Sequence, residues 1–229
     1  MAPKPDYKVG PMPVQLPPAV LAKLAQVETA TVGHTRHWGF MDRRIQPLLP
    51  EKRIAGTAIP LAIPSQDSTL LHYAVGLLRP GDILVVDRLG DDKHACWGGG
   101  VTVAAKAAGA VAGIVDGSCT DFAEIRESDF PLWCRGLSPI TTRLYNLGGI
   151  LNFPVSCGGV IVRPGDAILA DESGVLVLQP EEVEAIADEA LAGQARGLAR
   201  QAEVKAGKKL GDLSGATAMV LAALKEPRS

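Results

Sequence analysis

The feature that most restricts the fold is a pair of short, uninterrupted apolar runs separated by a glycine-rich turn and an alanine-rich segment. The runs are the middle of "DILVVD" at residues 82–87 and the start of "AGIVDG" at 112–117. Apolar runs without polar alternation are typical of strands that are buried on both faces. The segment between them, "VTVAAKAAGA" at 101–110, is typical of a helix. The order strand, helix, strand predicts a βαβ unit with two parallel strands.

This unit also predicts where a ligand binds. In parallel sheets the binding crevice lies beyond the carboxyl ends of the strands. The two loops at those ends are residues 87–100 and 116–121. Because the strands are neighbours, we expect both loops to face one cavity, with Thr120 and Asp121 at the end of the second loop.

The rest of the chain predicts a single α/β domain over residues 19–229 behind a proline-rich arm, 1–18, which forms a tail or wraps a neighbour. With 229 residues the chain suits one core. The other expected elements are a helix from Pro18, a strand at 53–63, a short helix capped by Ser68, antiparallel strands within 131–178, a long helix from Pro180 and a last helix at 215–225.

Composition excludes several classes of function. The formal net charge is −2 and aromatic residues make up 4%, so neither a basic patch nor a base-stacking platform is expected and nucleic acid is not a predicted partner. No apolar run has transmembrane length and the first residues do not form a secretory signal. The four cysteines form no CxxC pair. We therefore expect a cytoplasmic protein with reduced thiols that does not bind membranes.

The first candidate for chemistry is "CWGGG", residues 96–100, which opens the predicted helix. Glycines at a helix start allow free backbone N–H groups to point at an anion such as a carboxylate, a phosphate or an enolate. The alternative is a tight turn with close packing of helix on strand. The glycines alone support both interpretations equally.

The second candidate is Asp121, with Asp116 five residues before it. A carboxylate at the end of a strand suits a divalent cation. The alternative is that Asp121 is the N-cap of the next helix, "FAEIRES". The local sequence favours the cap.

Histidines and arginines form the third candidate set. Of the four histidines, His94 alone falls in the predicted cleft, where it suits a general acid or base. His34 and His37 lie in "HTRHWGFMDRR" together with Arg36, Arg43 and Arg44, and His72 lies in a predicted helix. The arginines suit a carboxylate clamp, while the alternative is a solvated charged loop.

Five segments at matching intervals resemble one known family. They are "RPGDILVVD", "WGG", "GAVAGIVDGSCTD", "FPLWCRGLSP" and "PVSCGGVIVRPGDAILADESGVLVL". Together they are similar to the family that joins 4-hydroxy-4-methyl-2-oxoglutarate aldolase with the ribonuclease E inhibitor RraA. The resemblance runs from about Leu24 to the C-terminal helix.

The resemblance implies an α/β/β domain of the swivelling type, assembled as a homotrimer or homohexamer with active sites between subunits. In the aldolase branch the aspartate of an Arg-Asp pair holds Mg²⁺ or Mn²⁺, and the arginine grips a 2-oxo acid. Backbone amides after the glycine-rich turn hold pyruvate, whose enolate is stabilised after carbon–carbon cleavage. The same sites often decarboxylate oxaloacetate.

Carried over residue by residue, the resemblance implies that Asp121 binds the metal, that Gly98 is the glycine of the turn and that the amides of Gly100 and Val101 hold pyruvate. The chain departs from the family at several positions. They are Thr120 in place of the arginine, Gly99 in place of an acidic residue, His34 in place of a Ser-Asp pair, and a C-terminal helix that offers only the poorly spaced Glu203 as its acidic residue.

Three hypotheses follow. The first is a metal-assisted lyase acting through an enolate on a small 2-oxo or hydroxy acid, with His94, Thr120 and Asp121 as catalytic residues and 98–101 with Thr120 as the substrate-binding set. Arg36, Arg126 or Arg135 would then supply the guanidinium. The second is a metal-independent enzyme for proton transfer or hydrolysis that uses His94, Lys93 and Cys119. The third is a non-catalytic regulator that binds a protein partner.

Overall fold

A computed structural model describes residues 5–225 of the chain. The helices are α1 Pro18–Leu24, α2 Thr29–Val32, α3 Thr69–Val75, α4 Gly99–Ala107, α5 Phe122–Glu127, α6 Val183–Lys205, α7 Leu210–Ser214 and α8 Ala216–Lys225. The strands are β1 Asp6–Val9, β2 Gln46–Pro47, β3 Ile54–Ala62, β4 Asp82–Asp87, β5 Ala112–Asp116, β6 Ser118–Cys119, β7 Leu132–Cys134, β8 Gly136–Leu137, β9 Gly148–Leu151, β10 Val155–Cys157, β11 Val160–Val162, β12 Ala167–Asp171 and β13 Gly174–Leu178.

The main sheet confirms the predicted parallel unit. Its path through the described residues is β1-β9-β3-β4-β5-β7-β2, and β12 and β13 join it through β3. Strands β3, β4, β5 and β7 run parallel to one another. All six residues of β4 are buried, as expected for an apolar strand that is covered on both faces. The βαβ unit is therefore β4, α4 and β5, and its strand ends define one edge of the sheet.

Antiparallel hairpins complete the α/β fold. β12 pairs with β13 across the turn at Glu172-Ser173, and β10 pairs with β11. Apolar clusters cover both faces of the sheet, one around Trp97 and Phe130 and another around Trp133. The predicted fold class, with parallel and antiparallel strands and flanking helices, is confirmed.

Two local predictions differ from the structure. The helix expected from Pro18 is broken into α1 and α2, because the buried carboxylate of Asp171 accepts hydrogen bonds from the Thr29 N–H (2.7 Å) and the Thr29 hydroxyl (2.6 Å) and starts a new helix there. Strand β7 was expected to be antiparallel, and it does pair antiparallel with β2 on one side. On its other side it pairs in parallel with β5, since the short helix α5 makes a second crossover connection.

The proline-rich arm lies on its own chain where it is described. β1 pairs in parallel with β9, and the Gln15 side chain donates hydrogen bonds to Pro80 O and Asp82 Oδ1, each at 2.9 Å. Residues 1–4 of the predicted arm and 226–229 of the predicted domain lie outside the described residues. Between residues 5 and 225, no helix is both long and apolar enough to cross a membrane.

Candidate active site

The two predicted loops meet at the carboxyl ends of β4 and β5. A parallel bridge joins Trp97 to Cys119, and the Thr120 N–H donates a hydrogen bond to Trp97 O (2.8 Å). These contacts place Gly98, the residue before α4, directly against Thr120 and Asp121. The convergence expected from the βαβ unit is therefore present.

Asp121 caps α4 rather than its own helix. Its Oδ2 accepts a hydrogen bond from the Gly99 N–H (3.0 Å), and its Oδ1 accepts one from the Thr120 hydroxyl (3.3 Å). Asp121 also precedes α5, but its side chain makes no capping bond there, so the N-cap interpretation was wrong about which helix it serves. The carboxylate instead faces the positive end of the α4 dipole.

The backbone of Asp121 is in the left-handed region, with φ 55° and ψ 44°. A non-glycine residue there costs about 1–3 kcal/mol, although aspartate and asparagine tolerate it better than most residues. Strained residues of this kind cluster at functional sites. The conformation turns the carboxylate back towards α4.

Two glycines at the start of α4 leave room for carboxylates. A Cβ atom at Gly98 would overlap Asp121 Oδ2 and lie 2.9 Å from Thr120 Cγ2. A Cβ atom at Gly99 would overlap the Glu124 carboxylate and lie 2.6 Å from its Cδ. Side chains at either position would displace an acidic group. The absence of side chains at Gly98 and Gly99 therefore makes room for the two carboxylates, and we call this part of the site the cradle.

Beyond this cradle the helix end is open. The amides of Gly100 and Val101 belong to the first turn of α4, where N–H groups have no partner within the helix. Gly100 is exposed, and nothing lies within 4 Å of the position that a Cβ atom would take there. This is the place predicted for the pyruvate carboxylate, and it has both donors and space.

His94 belongs to the loop that follows β4. Its ring Nδ1 lies 2.9 Å from Asp91 Oδ2, and its backbone N–H donates a hydrogen bond to Asp91 Oδ1 (2.8 Å). In the described part of the chain no hydrogen bond joins His94 to Asp121. The acid–base role of His94 stays a prediction.

The arginines expected to grip a substrate are engaged elsewhere. Arg36 forms a bidentate pair with Glu182, and the guanidinium of Arg126 lies over the Phe122 ring at 5.5 Å. Arg135 is paired with Asp116, whose other oxygen accepts the Gly158 N–H (2.6 Å). Asp116 therefore fixes the loops behind the cleft and is not arranged as a partner of Asp121 in cation binding.

Other residues of the segment "HTRHWGFMDRR" lie on the surface away from Asp121. Arg44 pairs with Asp42, and His34 lines a groove of about 940 Å³ between the α2 region and α6. This groove is separate from the cradle at Gly98. His72 lies in α3 and is exposed.

The cysteines are poorly suited to nucleophilic catalysis. All four are buried free thiols. Burial raises the pKa of Cys96 to about 11 and raises the pKa values of Cys119 and Cys157 well above the usual range. The pKa of Cys134 is lowered, chiefly by a hydrogen bond with Cys119. The nucleophile considered for a metal-independent enzyme, Cys119, is therefore held as a neutral thiol.

We expect no rapid thiol chemistry in the folded protein. Ellman's reagent at pH 8 should react with none of the four cysteines within minutes, because the thiols are buried and the thiolate is the reactive form. Unfolding in guanidinium chloride should release all four. Rapid labelling of Cys119, located by peptide mass spectrometry, would contradict this account and restore the second hypothesis.

Sequence reasoning missed Glu124. It follows Asp121 by three residues, so both side chains lie at the first turn of α5 on the side that faces Gly98 and Gly99. The spacing Asp-x-x-Glu directly after the strand end was the available signal. It was overlooked because "FAEIRES" was considered only as the helix that Asp121 might cap.

The carboxylate of Asp121 is the donor that the cradle offers to a hard divalent cation. Between residues 5 and 225 no group of three or more His, Cys, Asp or Glu side chains could hold a metal ion. Mg²⁺ usually binds through one or two carboxylates and keeps several waters. The carboxylate of Asp121, facing a cradle that a Cβ atom would fill, suits such a site.

The fold and the site together define a class: an α/β domain with a carboxylate and an open helix end at the edge of a parallel sheet. The RraA-like family, described as Aldolase/RraA, matches residues 25–177. The chain belongs to this family, as its motifs predict.

Individual relatives agree with this assignment. The chain is 34% identical over 157 residues to a protein of Halalkalibacterium halodurans provisionally named 4-hydroxy-4-methyl-2-oxoglutarate aldolase, covering 69% of this chain and 74% of the relative. A Deinococcus radiodurans protein with the same provisional name is 37% identical over 130 residues, covering 56% and 79%. The crystal structure of Streptomyces coelicolor RraAS2, described as an unusual member of the RNase ES inhibitor RraA family, has a TM-score of 0.72 at 25% identity and covers 81% and 98%.

Proposed function

We propose that this protein is a lyase that cleaves a carbon–carbon bond in a small 2-oxo acid with the help of Mg²⁺ or Mn²⁺. The observation that carries the proposal is the placement of the Asp121 carboxylate against Gly98, beside the open amides of Gly100 and Val101. The provisional names of two relatives, which refer to aldolase activity, support the same reaction class.

Each group has a defined task in this proposal. Asp121 holds the cation, and its αL backbone keeps the carboxylate directed towards α4. The Gly100 and Val101 amides bind the substrate carboxylate at the positive end of the helix dipole. The cation, when bound, polarises the 2-oxo group and stabilises the negative charge that develops as the bond breaks.

Thr120 shapes the substrate preference. It is half-buried beside Gly98 and offers a neutral hydroxyl, which already donates to Asp121. An arginine in this place would grip a second carboxylate with two charge-assisted bonds. We therefore propose that the natural substrate is bulkier or less acidic than 4-hydroxy-4-methyl-2-oxoglutarate.

A pyruvate-release assay tests the proposed reaction. The assay takes a panel of 2-oxo acids, including oxaloacetate and 4-hydroxy-4-methyl-2-oxoglutarate, with added Mg²⁺ or with EDTA. We expect Mg²⁺-dependent release from at least one member and slow release from 4-hydroxy-4-methyl-2-oxoglutarate. Full activity in EDTA would contradict the metal-dependent mechanism, and kcat/KM at or above about 10⁴ M⁻¹s⁻¹ for 4-hydroxy-4-methyl-2-oxoglutarate would contradict the proposed preference.

The likeness to RraAS2 favours a second candidate, a regulator that binds a protein partner. In that case the hydrogen bond from the Gly99 N–H to Asp121 would be a helix cap without chemistry. Inactivity across the whole panel, together with no binding of Mn²⁺ at Asp121, would favour this function over the lyase.

We also propose that the protein is a homo-oligomer with three-fold symmetry, a trimer or a hexamer, in which another subunit completes the site. Asp121 and Gly100 are exposed in the single chain, so one side of the cradle is open. Apolar side chains of α8 are also uncovered, since Met219, Val220, Leu221 and Leu224 are each more than half exposed.

Analytical ultracentrifugation checks this assembly. At micromolar concentration we expect a sedimenting species of at least three chains, because burial of the exposed apolar residues favours association. A single species with the 24.0 kDa mass of one chain would exclude it.

A further inference from the structure

We infer that Glu124 is a second acidic residue of the cation site and places its carboxylate beside that of Asp121. This inference rests on the proposed function and adds a residue to the same site. Three observations support the inference. They are the spacing of Asp121 and Glu124, their shared contact with the α4 helix end, and the glycine at position 99.

The backbone fixes the two carboxylates on one side of the turn. The Glu124 N–H donates a hydrogen bond to Asp121 O (3.0 Å), which closes the first turn of α5. The side chain then runs back towards α4, where its Cδ lies 2.6 Å from the position of a Cβ atom at residue 99. Asp121 contacts residue 98 in the same way, so the residue before α4 and the first residue of α4 each face one carboxylate.

Glycine at position 99 is explained by this contact. Gly99 is the first residue of α4, and its φ does not lie in the positive range that other residues avoid. Backbone freedom is therefore not the reason for glycine here. Any side chain at this position would occupy the space of the Glu124 carboxylate, so the missing side chain gives Glu124 access to the helix end.

The charge of Glu124 is uncompensated in the described part of the chain. No ion pair involves Glu124 among these residues. The nearby cations are directed elsewhere: Arg126 lies over the Phe122 ring, and the Lys106 ammonium donates to Ser128 O. Glu124 and Asp121 are both exposed. Two adjacent carboxylates repel each other, and a divalent cation removes that repulsion.

Mn²⁺ binding to the full-length protein, measured by loss of the free-ion EPR signal, tests the inference without an activity readout. Glu124→Gln keeps the shape of the side chain and removes its charge, and we expect about a tenfold rise in Kd. Glu127→Gln is the matched control, since Glu127 is an exposed residue of the same helix. It should bind Mn²⁺ like the wild type.

Gly99→Ala provides the second variant. Its methyl group displaces the Glu124 carboxylate, so Gly99→Ala should raise the Kd for Mn²⁺ to about the level of Glu124→Gln. The double variant, Gly99→Ala with Glu124→Gln, should bind Mn²⁺ no more weakly than either single variant, because both changes remove the same contact. Circular dichroism verifies that the variants are folded.

The outcomes separate this inference from the proposed function. If the wild type binds Mn²⁺, Asp121→Asn abolishes binding and Glu124→Gln binds like the wild type, Glu124 is not part of the site and the proposed function stands. If the wild type does not bind Mn²⁺, both are wrong. Additive losses in the double variant would also overturn the inference, because Gly99 would then act independently of Glu124.

Discussion

Asp121→Asn should lower kcat/KM for Mg²⁺-dependent pyruvate release by about 1,000-fold or more while the protein stays folded. A bound cation contributes several kcal/mol of charge stabilisation, and each 1.36 kcal/mol corresponds to a factor of ten in rate. Asparagine is the suitable replacement because it tolerates the left-handed backbone at this position and still accepts the Gly99 N–H. Alanine would lose the charge and add strain. Steady-state kinetics over a range of Mg²⁺ concentrations measures the effect.

Asp129→Asn is the matched control. Asp129 also has a left-handed backbone, with φ 51°, and lies on the surface paired with Lys52. The control should retain wild-type kcat/KM, since it removes a similar carboxylate away from the cleft. Unchanged turnover in Asp121→Asn would remove Asp121 from the mechanism.

Thr120→Arg should raise kcat/KM for 4-hydroxy-4-methyl-2-oxoglutarate by at least about tenfold. Removing one partner of an arginine–carboxylate pair in a desolvated site costs about 2–5 kcal/mol. The gain from adding the arginine is smaller, because ordering a new long side chain costs conformational entropy. The side chain of residue 120 lies beside Gly98 and Asp121, so a guanidinium there would meet a substrate held at the α4 amides. Parallel assays on oxaloacetate and 4-hydroxy-4-methyl-2-oxoglutarate measure the gain.

Thr120→Gln separates charge from size. Glutamine has an extended polar side chain without a guanidinium, so it should not reproduce the gain. Equal gains in both variants would show that the fork of the arginine is not responsible. No activity in the wild type or in Thr120→Arg, on either substrate, would indicate that position 120 marks a site that has lost its chemistry.

The parallel core of the fold was predictable because its signal is local. An unbroken apolar run such as 83–86 is compatible with few environments other than the middle of a covered sheet. The proximity of Gly98 to Asp121 was predictable from the topology of the βαβ unit alone. The break between α1 and α2 was not predictable, because it depends on Asp171, a residue distant in sequence that binds Thr29.

The details of the site were harder to predict for the same reason. Aspartate before a helix usually caps that helix, and only the left-handed backbone at Asp121 turns its carboxylate to α4. The engagement of Arg36 with Glu182 and of Arg135 with Asp116 depends on tertiary contacts. The Gly99–Glu124 contact likewise joins two helices, and nothing in the composition of either segment indicates it.

A crystal structure with Mn²⁺ and oxalate, a stable analogue of the pyruvate enolate, tests whether Asp121 and the α4 helix end form a metal-dependent site. Anomalous diffraction locates the manganese without reference to activity. We expect an anomalous peak within coordination distance of an Asp121 oxygen, about 2.0–2.3 Å, with an oxalate carboxylate at the amides of Gly100 and Val101. Manganese bound elsewhere, or a cradle at Gly98 that stays empty at saturating Mn²⁺ and oxalate, would contradict it.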